Sequence, residues 1–217
     1  EQKKHVCQKI IDGGFGAFCL TEPGAGSDAS AGTTTAVKDG DEWVLNGRKC
    51  FITNGPLADY TAVYALTEPE KKAKGLSCFV VKKGTPGFSV GKIEDKMGIR
   101  SAQVSEMILE NVRVPKENMI VESGQGFKLA MKTLDGGRIG VAAQGLGIAE
   151  GAFEIAKEYL KTREQFGKPL YRNQYLAFKM AELEMEIEAA KLMLYKAATD
   201  KQEGRPYSLP AAKAKYL

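Results

Sequence analysis

Apolar and polar positions follow two rhythms along this chain. From about residue 15 to 120, short apolar stretches alternate with turn signals, the pattern of a β-domain. Strands are predicted over Thr33–Lys38, Tyr60–Leu66, Leu76–Val81, Phe88–Gly91 and Val104–Leu109, with Lys83-Gly84-Thr85-Pro86-Gly87 as one of the turns. Glu42–Ile52 reads as a hairpin, because Asn46-Gly47 suits the positive φ angles of a type I′ turn. Barrel and sandwich both fit such punctuation; the expectation is a barrel-like β-domain. Beyond about 123 the period lengthens. Gly126–Lys161 and Gln174–Lys201 are predicted helices, and Leu176, Met180, Leu183, Ile187, Ala190, Leu194 and Ala197 form a core-facing stripe on the second. Gly204 and Pro206 stop it, and Ser208–Leu217 begins another helix. His5–Ile11 has the look of the end of a helix. The fold class expected is α+β multidomain: residues 1–14 closing a further helical domain, a barrel-like middle domain over 15–122, and the first helices of an up-down bundle over 123–217. Two helices and a fraction are a poor bundle, so the chain is expected to be a piece of a longer one.

Bulk properties narrow the field of functions. The 217 residues are 43% hydrophobic and 27% charged, ordinary for a globular protein. The net charge is +4, with basic residues interspersed among acidic ones, so no nucleic-acid footprint is expected. The longest weakly polar stretch, Ile139–Ala149, is far short of a membrane span. The opening Glu1-Gln2-Lys3-Lys4 has no apolar signal core and no Met, as in a mature chain or a fragment. Cys7, Cys19, Cys50 and Cys78 lack metal-ligand spacing and are expected to be buried free thiols in a reducing compartment. His5 is the sole histidine, which argues against a multi-histidine metal site or a His-based triad within these residues, and no metal is expected.

Three strings carry candidate chemistry. Leu20-Thr21-Glu22-Pro23-Gly24-Ala25-Gly26-Ser27-Asp28 leaves an apolar run as a glycine-broken turn, with a hydroxyl and a carboxylate at its far end. Gly24 and Gly26 permit positive φ and close backbone approach, so N–H groups there could face an anion such as a phosphate. Phe51-Ile52-Thr53-Asn54 ends an apolar strand with a hydroxyl and an amide, which suits the polar edge of a flat heterocycle beside an aromatic face. Leu134-Asp135-Gly136-Gly137-Arg138 puts two glycines in mid-helix, each costing about 1 kcal/mol relative to alanine. Close helix packing and a ligand lying across the helix both explain that pair, with Asp135 and Arg138 one turn apart. Glu182, Glu184, Glu186 and Glu188 read as solvated helix faces.

With these strings, together with Leu45-Asn46-Gly47, Gly84–Gly87, Val112-Arg113-Val114-Pro115, Thr133–Gly147 and Arg163-Glu164-Gln165-Phe166-Gly167, the chain resembles the acyl-CoA dehydrogenase family, particularly its short-chain or butyryl-CoA branch. The resemblance covers essentially the whole chain. It implies FAD, an acyl-CoA thioester substrate, α,β-desaturation with hydride transfer to flavin N5, electrons passed to electron-transfer flavoprotein, and a homotetramer whose subunits end in a four-helix bundle. It further implies that Phe18, Cys19, Leu20, Thr21, Gly26 and Ser27 line the flavin, with Ser27 also near substrate. Phe51, Ile52 and Thr53 would cover the ring near N5, Phe51 standing where many relatives have Trp. Asp135, Gly136, Gly137 and Arg138 would contact CoA; Arg163, Phe166 and Gln174 would reach the FAD of a neighbouring subunit. The family's base is a glutamate late in the bundle, in a Tyr-Glu-Gly-Thr type motif missing from this sequence, or on the helix position that is Gly137 here. The base is therefore expected beyond Leu217, and the chain alone is expected to be inactive. Enoyl-CoA reductase or acyl-CoA oxidase chemistry on the same fold, and a non-catalytic FAD- or CoA-binding module, are the alternatives. A bacterial cytoplasm is the favoured location over a mitochondrial matrix.

Overall fold

The computed structural model describes residues 2–217, which divide into two compact units, one ending at Ala130 and the other Met131–Leu217. The first begins with helix α1 (Gln2–Ile11) and continues as seven strands: β1 (Gly16–Cys19), β2 (Thr35–Asp39), β3 (Glu42–Thr53), β4 (Tyr60–Leu66), β5 (Leu76–Lys82), β6 (Phe88–Ile93) and β7 (Val104–Pro115). They form one sheet in the order β1-β4-β2-β3-β7-β6, with β5 on β4. The sheet curls into a half-barrel around Leu45, Ile52, Val63, Phe79, Val81 and Val112, each no more than 1% exposed. Alternation builds this core directly: on β7, Ser105, Met107 and Leu109 point inward while the residues between them face out.

Asn46-Gly47 is not a turn. β3 runs straight through it, and the hairpin turn lies earlier, at Gly40-Asp41 between paired Asp39 and Glu42, with Gly40 at φ +60°. What Asn46-Gly47 faces is a bulge in β7. Leu45 pairs with Val112 and Gly47 with Leu109, so β7 carries one extra residue there. Asn111 takes the strain at φ +51° and donates its N–H to Asn46 Oδ1 at 2.8 Å. Glycine is required at 47 by proximity, since a Cβ would lie 2.4 Å from Thr34 Oγ1. A second bulge puts the extra residue on β3. Lys49 pairs with Met107 and Ile52 with Ser105, and Phe51 between them adopts φ +56°.

The outer strands end the sheet in different ways. Among the described residues β6 pairs only with β7, and it is itself bulged between Val90 and Ile93. Along β5, the Ile120 N–H donates to Cys78 O at 3.0 Å and Asn118 Nδ2 to Val80 O at 2.8 Å. Three cysteines are buried as expected, but Cys7 is exposed, because α1 presents that face to solvent.

The second unit contains most of α2 (Gly126–Thr162), the two-residue strands β8 (Glu164–Gln165) and β9 (Lys168–Pro169), α3 (Gln174–Gln202) and α4 (Ser208–Tyr216). α2 and α3 run antiparallel, bridged by Glu150–Lys191 at 3.0 Å and Lys157–Glu184 at 3.7 Å. Gly204, at φ +71°, ends the second long helix, and a clasp fixes the turn. The buried Asp200 carboxylate accepts Arg205 Nε at 2.8 Å and Lys196 Nζ at 3.0 Å. The apolar stripe of α3 is core only at Ala197, which packs on Ala211 and Ala214. Met180, Ile187 and Leu194 are half-buried and Leu183 is exposed; with Val141 and Leu146 they line a trough of about 820 Å³. Two long helices and one short one close only a single seam, and the rest of the stripe faces the trough. No helix among the described residues is long and apolar enough to cross a membrane.

Candidate functional site

In the first unit, β1 delivers the chain to the Leu20–Asp28 loop. Phe18 is half-buried against Tyr64, their ring centroids 5.1 Å apart, and Cys19 and Leu20 are buried. Burial pushes the Cys19 thiol up to about 12; fully buried in the sheet's core, it is a neutral packing residue and not a nucleophile, and its side chain does not reach the surface. Glu22-Pro23-Gly24-Ala25 forms a tight turn, with Glu22 N–H to Ala25 O at 3.1 Å and Ala25 N–H to Glu22 O at 3.0 Å. Neither Gly24 nor Gly26 uses a positive φ, contrary to expectation, and a Cβ at either would meet nothing within 4 Å. The turn closes through its own backbone pair without left-handed residues; the glycines leave its outer face clear. Asp28 then caps the following turn, accepting from the Ser30 N–H at 3.1 Å.

The loop is fastened to β3. Cys50 N–H donates to Thr21 O at 2.9 Å, which seats Thr21 beside the segment Phe51–Thr53. Ile52 is 1% exposed, whereas Phe51 is 66% exposed and Thr53 also faces solvent. The bulge is the cause: the extra residue at 51 turns a bulky aromatic outward in a conformation that side chains seldom tolerate. No hydrogen bond from the hydroxyls of Thr21, Ser27 or Thr53 is found among the described residues. An exposed aromatic ring, hydroxyls with no hydrogen bond among the described residues and an open glycine turn are each the chemistry that a planar polar heterocycle carrying phosphate requires.

Beneath this surface lies a buried ion pair that inspection of the motifs does not single out. Lys49 Nζ meets Glu22 Oε1 at 2.8 Å, with side chains 1% and 4% exposed. Nζ also donates to Leu20 O at 3.0 Å. Glu22 accepts from Thr33 N at 2.6 Å, Thr33 Oγ1 at 3.0 Å and Thr34 N at 3.1 Å. Burial alone would raise the Glu22 carboxyl, but Lys49 and these donors outweigh it and hold the group at about 2. The sequence does carry a signal: Lys49 sits in phase with the inward Leu45, and a charge at a core position demands a partner. Thr34 Oγ1, close by, is buried without a hydrogen bond.

Asp135–Arg138 lie in the second unit, on α2. Arg138 Nη1 meets Asp135 Oδ1 at 2.5 Å, and Ser208 Oγ of α4 donates to Asp135 Oδ2 at 2.5 Å. Asp135 is thus a holder of Arg138, whose side chain stays 39% exposed. The glycine pair is split between the two explanations. A Cβ on Gly136 would come within 3.1 Å of Lys201 Nζ, while Gly137 has nothing within 4 Å. Arg163, Phe166 and Gln174 are not brought to that place. Arg163 follows Asp135 by 28 positions along and just past α2, roughly 40 Å at helical rise. Phe166 and Gly167, at φ +54° and +72°, form the tight turn between β8 and β9, and Phe166 is 94% exposed at its tip. Gln174 opens α3 and is exposed.

Known proteins sharpen the comparison. The sequence matches the profile of the acyl-CoA dehydrogenase middle domain over residues 17–112 and that of the C-terminal domain over 124–217. It is 51% identical to a short-chain specific acyl-CoA dehydrogenase of Clostridium acetobutylicum over 99% of this chain and 57% of that protein. An acryloyl-CoA reductase (NADH) of Anaerotignum propionicum is 47% identical over 99% of this chain and 55% of its own length. The solved butyryl-CoA dehydrogenase of Megasphaera elsdenii superimposes with a TM-score of 0.91 at 54% identity, covering 95% of this chain and 54% of that one. A structure described as an FAD-dependent dehydrogenase gives 0.89 at 35% identity, covering 94% and 55%. The chain spans a little over half the length of the relatives it matches. Two adjoining family profiles, the same fold and this level of identity make the chain a member of the acyl-CoA dehydrogenase family, a family of flavoprotein oxidoreductases.

Proposed function

We propose that the chain is the middle domain (15–122) and the first bundle helices (123–217) of a short-chain acyl-CoA dehydrogenase that uses FAD for α,β-desaturation. The observation that carries this is the Cys50–Thr21 backbone hydrogen bond at 2.9 Å, which joins the Leu20–Asp28 loop to the strand segment that carries the exposed Phe51 and Thr53 and supports reading the two as one wall. The wall fits FAD: hydroxyl donors for the polar edge of the ring, an aromatic to cover it, and an open turn at Gly26-Ser27 for phosphate. When bound, FAD supplies a hydride acceptor at N5. The protein's part is placement. Thr21 and Thr53 donate to the ring's polar edge, Phe51 shields it from water, and buried Ile52 fixes the backbone between them. Arg138, oriented by Asp135 and Ser208, offers its remaining N–H groups to oxygens of the CoA portion. Arg163, Phe166 and Gln174 are assigned to the flavin of a neighbouring subunit in a homotetramer, in keeping with their exposure.

No residue of this chain is assigned as the base. Asp135 is committed to Arg138 and Ser208, and position 137 is glycine, so these 217 residues alone are expected to show no butyryl-CoA turnover. Electrons are assigned to electron-transfer flavoprotein; a structure concerning such a flavoprotein from Acidaminococcus fermentans contains a chain 55% identical to this one, with a TM-score of 0.89 over 93% of this chain and 53% of that one. The reductase relative favours a second reading, the reverse reaction. NADH consumption with a short enoyl-CoA, set against flavoprotein reduction with butyryl-CoA, separates the two. The site assignment is tested by Thr53→Ala in the full-length enzyme: flavin reduction slows more than CoA binding weakens. Equal effects on both would remove Thr53 from the flavin edge.

A further inference from the structure

One lysine brackets Thr21. Its Nζ reaches the carbonyl of Leu20 at 3.0 Å on one side and the carboxylate of Glu22 at 2.8 Å on the other. The next residue on the strand, Cys50, donates its N–H to the carbonyl of Thr21 itself at 2.9 Å. The residue after that is Phe51, the bulge. Three consecutive loop residues are therefore tied to two consecutive strand residues, immediately before Phe51–Thr53. On the far side Glu22 binds the backbone of Thr33 and Thr34, so the loop that carries Gly26 and Ser27 is held where it leaves and where it returns. Hydrophobic packing alone would leave this register soft, because apolar contacts have no direction. A buried ion pair whose carboxylate also accepts from Thr33 and Thr34 does have one.

We propose that Lys49 and Glu22 are positioning residues: their buried pair sets the spacing between Thr21 and Phe51–Thr53, and with it the fit and electronic setting of the flavin. This rests on the reading that FAD lies on this wall. Neither side chain touches the ligand surface, since both are buried beneath it.

The test uses the full-length holoenzyme and its FAD-stripped form. The informative variant is the neutral pair Glu22→Gln with Lys49→Met, which removes both charges at once and leaves no orphan charge. Four quantities are read: melting of the apoprotein, FAD affinity by fluorescence titration, and the visible spectrum and midpoint potential of the bound flavin. The expected result is an apoprotein that melts close to wild type, FAD bound about tenfold or more weakly, and a displaced spectrum and potential. A pair that served folding alone would change melting and leave the bound flavin's spectrum and potential as in wild type; that result overturns the proposal. Should the neutral pair fail to fold, Glu22→Asp keeps the charge but shortens the reach by one methylene. A displaced spectrum and potential then supports the proposal, and wild-type values overturn it. Thr21→Val and Thr53→Val separate this from the underlying reading. If the wild-type protein binds FAD and neither threonine variant alters affinity or spectrum, the flavin is not on this wall and both fall. If the threonine variants alter them and the neutral pair does not, only the positioning role falls.

Discussion

Glu22→Gln is expected to be among the most destabilising single substitutions in the first unit, and its effect has a pH signature. Burial would raise the carboxyl, but Lys49 and the Thr33 and Thr34 donors hold it at about 2 against an ordinary 4.5. A carboxyl so depressed contributes about 3 kcal/mol to folding at neutral pH. The sign follows from the direction: the contribution is complete above the ordinary value and is lost as pH falls through 4.5 toward 2. Glutamine also leaves the Lys49 ammonium, 1% exposed, without its counter-charge, and breaking a buried pair from one side costs about 3–5 kcal/mol. The two figures describe the same interaction from two directions and agree. The assay is urea unfolding followed by far-UV circular dichroism at several pH values between 7 and 3. Wild type should lose stability over the acid range. The neutral pair, Glu22→Gln with Lys49→Met, should lie within about 2 kcal/mol of wild type at pH 7, because removing both charges also removes the desolvation penalty. It should also show a shallower acid limb. That difference isolates Glu22 from Asp59, Glu106 and Asp200, whose carboxyls are also held below their usual range, by the Phe15 amide, Arg48 and Arg205 respectively. A cost below about 1 kcal/mol for Glu22→Gln at pH 7, or an unchanged acid limb in the neutral pair, would refute the reasoning.

Other positions give contrasting outcomes. Thr34→Val removes a buried hydroxyl with no hydrogen bond and is expected to be neutral or to stabilise by about 1 kcal/mol in denaturant titration; a loss of that size would reveal a partner. Phe51→Gly relieves a left-handed side-chain residue worth about 1–2 kcal/mol, against about 0.5–1 kcal/mol of added chain entropy. Its melting temperature should therefore equal or exceed wild type while FAD affinity falls. A marked drop in melting would mean that the exposed ring packs more than its surface suggests. Gly75→Ala would put a Cβ 1.8 Å from the Glu68 carbonyl, so a loss of about 3 kcal/mol or more is expected, and wild-type melting would contradict the geometry. Asp200→Asn should loosen α4 first, seen as faster amide exchange over Ser208–Tyr216; uniform exchange changes would count against a local clasp.

Much of this architecture is readable from local pattern. The 3.6-residue period finds both long helices, and Gly204 marks the end of α3 because only a left-handed residue fits there. The strings at Thr21 and Phe51 are visible because hydroxyls and an aromatic stand at the ends of apolar runs. What escapes is decided by partners far along the chain. Asn46-Gly47 has the local chemistry of a turn, yet its conformation is set by Asn111, 65 positions on. Phe51 faces outward because β7 withholds one residue opposite it, which no feature of β3 announces. The α3 stripe is correctly periodic, but periodicity states which face is apolar and not what covers it. Glu22 and Lys49 are 27 positions apart, and only the phase of Lys49 against Leu45 hints that they meet.

The two ends of the curled sheet bear on how the protein behaves when crowded. A free strand edge is a template on which a second chain can add a strand, so every open sheet needs a way to refuse one. β5 is refused from within, its carbonyls at Cys78 and Val80 already taken by Ile120 and Asn118. Among the described residues β6 has no such cover, but its bulge between Val90 and Ile93 breaks the even spacing that an incoming strand would have to match. Deleting one residue there would straighten β6 into a regular ribbon flanked by half-exposed Val90 and Ile93. The altered protein would keep its core and offer an edge that a second strand can match.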